Sequence, residues 1–481
     1  MMEPLSNNTV ARVRRPVRIL QFGEGNFLRA FFDWMIEVSN SSGITDASVA
    51  IVSPRFRSNA TIEGLRRQDG LYHVCLEGIE NGAPRQETRL VTAIADAFSP
   101  IESPDTYLSY ITSPDLRFIV SNTTEAGICY GADDPVSLCA VTFPGKVTAL
   151  LYHRYRHFCG DSARGLIFLC CELIEDNGQL LREYVLRHAR EAGLGEDFIR
   201  WVIGSCIFCD TLVDRIVSGY PADSADRINE STGYADDLLV KGERYHLWVI
   251  GGDGADKVKS ELPLHKAGLN VHFLPSVREF RDKKVRILNG SHTGMVPVAL
   301  QLGCETVLDA FGNGDVNTFV NRMVSREVLP VIDGDPGELR TFAAGILERF
   351  YNPYIRHMLR SISLNSLSKW ETRNFPTVRD VWEKEQRFAD YELFTFAALL
   401  ALYAPDSGFA PEDNPRHVRF IHEHWNAGDI PASVSAIVRG GIFIEDFEKT
   451  VPGFCREVSG YWVLIREKGM AGVLRHFLDT H

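Results

Sequence analysis

The chain has 481 residues, 45% hydrophobic and 24% charged, the usage of an ordinary globular protein, which excludes disordered and fibrous classes. Its length calls for two domains rather than one core. The 51 Lys and Arg against 63 Asp and Glu leave a net charge of −12, so the basic field of a general nucleic-acid binder is missing.

No apolar run reaches the length of a signal-peptide core or a membrane span, so neither secretion nor a membrane is expected. The ten cysteines are scattered through a chain far larger than the disulfide-stapled domains, which predicts reduced thiols and a cytoplasmic protein. Cys206 and Cys209 form a CxxC pair with no second ligand pair at zinc spacing, so no metal site is expected.

In chain order, VRILQF (17–22) is a short apolar run that reads as a strand. It runs into GEGNFLRAFFDW, where Gly23 and Gly25 have the GxG spacing and Leu28 takes the place of the usual third glycine. A turn of this kind between a strand and a helix lets backbone N–H groups approach a pyrophosphate, and the helix N-terminus adds its positive dipole end. Gly23, Gly25, Asn26, Phe27 and Arg29 are therefore candidate cofactor residues. A second strand, ASVAIVS (47–53), is followed by Pro54, Arg55, Phe56 and Arg57 instead of the acidic residue that usually binds the ribose. The choice between NAD and NADP stays open at that point, since arginines can receive a 2′-phosphate.

LRFIVSNTTEAG (116–127) predicts a further strand with Thr123, Thr124 and Glu125 at its C-terminal end, where doubly wound sheets bind their ligands. The same residues also make a helix-capping pattern. The alternation continues through PGKVTALLYHRYRHF, RGLIFLCCEL (164–173), YHLWVIGGD (245–253) and NVHFL near 272. It predicts an α/β fold, with a Rossmann-type doubly wound parallel sheet over residues 1–280. From 281 to 481 the spacing is helical, over 285–311, 314–331, 336–350, 353–370, 388–403 and 459–479. The head of this region, KVRILNGSH, places Lys284, Asn289 and His292 on one half of a helix at 100° per residue. An amine that exchanges a proton beside two groups able to grip an oxygen suits the interconversion of an alcohol and a carbonyl.

The stretches ILQFGEGNFLRAFFDW, SNTTEAGI, CELIEDNG, TLVDRIVSGYP, KVRILNGSHTGMVPVA and RFYNPYIRHMLRSISLNSLSKW, in that order, resemble the long-chain mannitol and polyol dehydrogenase family, most closely its tagaturonate reductase (altronate oxidoreductase) branch. The resemblance implies a Rossmann-type domain, a helical C-terminal domain, an active site between them, NAD as cofactor and no catalytic metal. It implies Lys284 as general acid and base, with Asn289 and His292 holding the reacting oxygen. Asp214 and Arg215 match an element near the cleft, where an internal ion pair is the other reading. Lys369 aligns with a substrate-side lysine, with Arg360 and Arg373 as neighbours able to meet a carboxylate. Where mannitol-type members carry a serine, cysteine, aspartate, asparagine run, this chain has Cys170, Cys171, Glu172 and Leu173, so a polyol contact is lost and a small sugar acid is the expected partner. The implied reaction is reduction of tagaturonate to altronate. A fructuronate or polyol dehydrogenase is the alternative within the class, and a non-catalytic NAD(H) sensor the alternative outside it.

Overall fold

A computed structural model describes the chain except for Met1, Pro54, Phe56, Arg57, Asn81, Gly82, Thr124, Glu125, Ala126, Pro135, Cys139, Ile355 and the side chain of Glu80. The chain folds as two compact units, Met1–Gly78 with Pro84–Val277, and Ile79–Ala83 with Arg278–His481.

Among the described residues the strands all precede Val277. They are β1 (Glu3–Pro4), β2 (Val17–Phe22), β3 (Ser48–Val52), β4 (Tyr72–Glu80), β5 (Ala83–Val91), β6 (Ile94–Phe98), β7 (Phe118–Ser121), β8 (Ile167–Cys170), β9 (Ile207–Asp214), β10 (Val217–Gly219), β11 (Tyr234–Ala235), β12 (Val240–Glu243), β13 (Leu247–Gly251) and β14 (Val271–Leu274). The eight-stranded sheet has the order β14-β13-β9-β8-β7-β2-β3-β6. Its central strands are buried because both faces are covered, which is why they read as unbroken apolar runs. Ile19, Ile51, Val120 and Leu169 pack on one side with Phe31, Phe32 and Met35. Leu20, Phe22, Ile119 and Phe168 pack on the other with Val147, Leu150 and Val185.

The sheet is parallel except at β9 and β13, where Leu247 stands opposite Asp214. The chain leaves β9 at Asp214 and returns at the same end, so no crossover is needed and the pairing is antiparallel. Between those points it builds part of a smaller sheet, β10-β12-β4-β5, which the strand and helix pattern of the sequence does not reveal. The registers Phe22↔Val52, Phe22↔Ser121 and Ser121↔Cys170 put the ends of β2, β3, β7 and β8 side by side. The glycine turn, the SNT turn and the CCE segment therefore meet at one edge of the sheet.

The second unit is helical, with different boundaries from those expected. One helical run begins at Arg278 and ends at Gln301, through the π-helix Val285–Gly290 and a helix Ser291–Gln301 that carries Pro297. Its extension to 311 fails at Gly303, which has φ +79°. The helix expected over 353–370 is broken, with a single turn at Leu359–Ile362 and a helix at Ser366–Arg373. Asn365 between them is left-handed at φ 54°, a conformation that ends helices.

A buried polar network props up the glycine turn from behind. Asp33 is fully buried; its Oδ2 accepts from Tyr72 Oη at 3.0 Å and from Gln21 Nε2 at 3.3 Å. Gln21 Nε2 also donates to the Gly23 carbonyl at 2.9 Å, and Tyr72 Oη lies 3.2 Å from the Arg29 carbonyl. Burial pushes the Asp33 carboxyl up from 3.8 to about 7, against the two hydrogen bonds and Arg29, which pull it down. A folded pKa above the unfolded one means a stability contribution that is complete below about pH 4 and is lost as pH rises through 7. The difference corresponds to an upper bound of about 4 kcal/mol. Asp33→Asn keeps an acceptor for Tyr72 and Gln21 but cannot ionise. The melting temperature of the parent, measured against that of the variant, is expected to fall between about pH 4 and 7 and to level off above that; parallel pH profiles would contradict the assignment of the titration to Asp33.

Candidate active site

In the first unit the glycine turn leaves open space before a helix N-terminus. Gly23 has φ +133°, and a Cβ there would stand 3.1 Å from the Asn122 carbonyl and 3.2 Å from Leu28, so only glycine fits between turn and strand. Gly25, at φ −66° and ψ 164°, has ordinary backbone, and a Cβ there meets nothing within 4 Å. Its constraint is thus not the fold but the open space before the helix N-terminus at Asn26, which suits close approach of a phosphate. Asn26 accepts from Arg29 Nη2 at 2.6 Å, while Arg29 Nη1 donates to the Leu238 carbonyl at 2.7 Å. Arg29 is buried over the Tyr72 ring, so it braces Asn26. Phe27 stacks on Phe31 at 4.9 Å. Arg55 is exposed, and Arg57, Thr124 and Glu125 lie outside the described residues.

The neighbouring turn is fixed by Glu172, which the sequence marks only as a departure from the mannitol-type run. Glu172 is buried; one oxygen accepts from the Thr123 backbone N–H and hydroxyl, both at 2.9 Å, and the other from Ser121 Oγ at 3.0 Å. Asn122 Nδ2 donates to the Cys171 carbonyl at 2.8 Å. Thr123 is therefore at the sheet edge, with its hydroxyl held by Glu172. Burial raises the Glu172 carboxyl above its usual range.

Asp214 is the last residue of β9 and half-buried. Arg215 is buried, with Trp34 beneath its guanidinium at 4.2 Å and donors on the carbonyls of Ala30, Arg244 and Tyr245. This geometry gives Arg215 work inside the fold, and no support for a contact to substrate.

In the second unit, Lys284 is half-buried at the end of the helix Arg278–Lys284, Asn289 is half-buried near the end of the π-helix, and His292 is buried in the next helix. In an α-helix five residues overshoot a full turn by 140°. The i→i+5 spacing turns less per residue, so Asn289 comes round nearer to Lys284 than the α-helical expectation placed it.

His292 stacks on Phe350 at 4.2 Å, and its ring lies 5.2 Å from that of His357. Its Nε2 is buried with no hydrogen-bond partner among the described residues, an arrangement that favours a ligand able to bond to it. Burial, then His357, Arg349 and Arg373, lower its pKa well below the usual range. The imidazole is accordingly uncharged at pH 7, in surroundings that favour an anion.

Arg373 donates to Thr293 Oγ1 at 3.2 Å, and that hydroxyl donates to the Asn289 carbonyl at 2.8 Å. Lys369, half-buried one turn earlier, donates to the Ile362 carbonyl at 3.0 Å; burial and Arg373 lower its pKa. Arg360 is exposed and lies over Phe409 at 4.8 Å, so the three cations expected together separate: Arg373 acts on both His292 and Lys369, and Arg360 is a surface arginine. Among the described residues no three His, Cys, Asp or Glu side chains are grouped so as to hold a metal ion.

Two family models match: the mannitol dehydrogenase Rossmann domain over residues 17–264 and the mannitol dehydrogenase C-terminal domain over residues 276–412. The chain is 40% identical to an altronate oxidoreductase of Bacillus subtilis, over 99% of this chain and 98% of that one. It is 37% identical to one of Shigella flexneri, over 98% and 99%. Among solved structures, substrate-free D-sorbitol dehydrogenase superposes with a TM-score of 0.80 at 22% identity, over 96% of this chain and 95% of that one. The Pseudomonas fluorescens mannitol 2-dehydrogenase ternary complex with NAD and D-mannitol gives 0.68 at 20%, over 97% and 95%.

Gly25→Val tests the glycine turn. The backbone at Gly25 accepts any residue and its Cβ direction is open, so the melting temperature should be unchanged. NADH affinity should fall by about tenfold or more, about 1.4 kcal/mol. Unaltered affinity in a fluorescence titration would remove Gly25 from the cofactor site.

Proposed function

The chain belongs to the mannitol dehydrogenase family, and from that membership we propose that it interconverts tagaturonate and altronate. It is an NAD-dependent oxidoreductase acting on a CH–OH group. The observation that carries the substrate is the full-length similarity to altronate oxidoreductases. The cations around His292 support an anionic substrate, and reduction of fructuronate to mannonate is the stereochemical alternative. A cytoplasmic location agrees with the described cysteines, all unbridged, and no helix among the described residues is long and apolar enough to cross a membrane.

Gly23, Gly25 and the helix start at Asn26 would hold the cofactor's pyrophosphate, for the reasons of space and dipole given above. When bound, NADH supplies the hydride that reduces the keto carbon. Lys284 gives its ammonium proton to the carbonyl oxygen as that oxygen gains charge, and takes it back in the oxidative direction. Asn289 through its amide and His292 through Nε2–H hold the same oxygen, and the neutral imidazole serves as a donor that keeps its proton. Lys369 and Arg373 receive the carboxylate, where charged hydrogen bonds are strongest.

Lys284→Ala is expected to lower turnover by roughly 10²- to 10⁴-fold while NADH still binds; near-parent turnover in the folded variant would sink the assignment. Lys369→Met should cost tagaturonate roughly ten- to a hundredfold in kcat/KM, from about 1.5 to 3 kcal/mol for a charged hydrogen bond, and cost a neutral ketose much less. Equal losses on both substrates would move the carboxylate's partner elsewhere.

A further inference from the structure

We propose that Asn374 is a positioning residue: its buried amide, held by Glu392, fixes the step from π- to α-spacing at Gly290 and so sets where Lys284 and Asn289 stand relative to His292. The inference rests on the catalytic assignment of those three residues. Asn374 lies between the helices Ser366–Arg373 and Phe375–Glu385 and is 0% exposed. Both hydrogens of its amide are engaged, one on the Gly290 carbonyl at 3.0 Å and one on Glu392 Oε2 at 2.8 Å.

Gly290 is the last residue of the π-helix. Where the i→i+5 ladder gives way to i→i+4 the carbonyls fall out of step, and an inserted side chain decides where that happens. A carbonyl has two lone pairs, so this one can take the amide hydrogen without leaving its own ladder.

Two glycines of the helix lie beside the amide. A Cβ at Gly294 would stand 3.4 Å from Asn374 Nδ2, 3.3 Å from Met323 Sδ and 3.0 Å from Thr395, and one at Gly290 3.5 Å from the Arg373 carbonyl. Gly294 thus lets the helix pack closely on Thr395 and Met323, with the Asn374 amide in ordinary contact beside it. A short neutral side chain that offers two donors from one atom is a primary amide. Burial holds the Glu392 carboxyl up at about 8, so at pH 7 it carries its proton and a glutamine reproduces it. In the same turn Arg286 pairs with Asp282 at 3.0 Å and Asp380 at 2.6 Å, and its charge acts on Glu392 as well, pulling that carboxyl down against the effect of burial.

The test compares four variants in steady-state kinetics with NADH and tagaturonate. In Asn374→Ala, kcat should fall about 10- to 100-fold, as small misplacement of reacting groups does, while KM stays within about twofold and NADH affinity is unchanged. Glu392→Gln, which keeps an acceptor for the amide, should stay within about threefold of the parent kcat, and Glu392→Leu should lose more. The double variant Asn374→Ala with Glu392→Leu should be no slower than Asn374→Ala alone, because the two act as one unit. A folded Asn374→Ala with parent kcat, or additive losses in the double variant, would overturn the proposal. If Asn374→Ala does not fold, equal kcat values for the Gln and Leu variants at Glu392 overturn it instead. Lys284→Ala measured alongside separates the two levels: its retaining full rate refutes the catalytic assignment itself, whereas its loss beside a normal Asn374→Ala refutes only the positioning.

Discussion

In the proposed scheme one local departure from α-helical geometry, the π-turn Val285–Gly290, governs how the second unit presents its catalytic groups. Lysine and asparagine five residues apart on an α-helix fall within one half of the cylinder but about 140° from each other. Wider spacing brings them closer, and the regular helix that resumes at Ser291 then sets His292 three residues beyond Asn289. Wider turns are less favourable than α-turns and persist where neighbours hold them. Here Asn374 grips the end of the turn and Arg286 is pinned by two aspartates. Preorganisation of this kind is what a reaction requires that places a proton donor and two hydrogen-bond donors on one oxygen.

Electrostatics follows from the same packing. His292 is boxed by Phe350 and by the cations Arg349 and Arg373 with His357, so its charged form is disfavoured while an anion beside it is favoured. The first unit repeats the pattern of a buried polar group holding a functional turn. Asp33 acts through Gln21 on the Gly23 carbonyl, and Glu172 acts on Ser121 and Thr123. In both units the side chains that hold the backbone of the proposed sites, Gln21, Asp33 and Glu172 in one and Asn374 in the other, are buried.

The parts legible in the sequence are those that depend on period and on local turn chemistry. The central strands stand out because burial on both faces makes them continuous apolar runs, as in VRILQF, and the GxG turn because a strand and a helix flank it. Lys284, Asn289 and His292 can be picked out by residue type and by family resemblance, but not the π-turn, because helical spacing differs from π-spacing in hydrogen bonding and not in composition. The small sheet of β4, β5, β10 and β12 escapes because its strands come from distant stretches and β5, APRQETRLV, is mostly polar. Asn374 and Glu392 are invisible as a pair, since they are 18 residues apart and meet only through packing. Arg360 and Lys369 both fall within the single helix expected over 353–370, yet the break at Asn365 puts them on separate helices and leaves Arg360 exposed.

The proposed chemistry turns on a keto sugar acid as substrate, and the most direct measurement is the rate of NADH oxidation with tagaturonate, fructuronate and fructose side by side. The highest kcat/KM is predicted for tagaturonate and the lowest for fructose, which lacks the carboxylate. Fructose turned over as well as either uronate would contradict that chemistry.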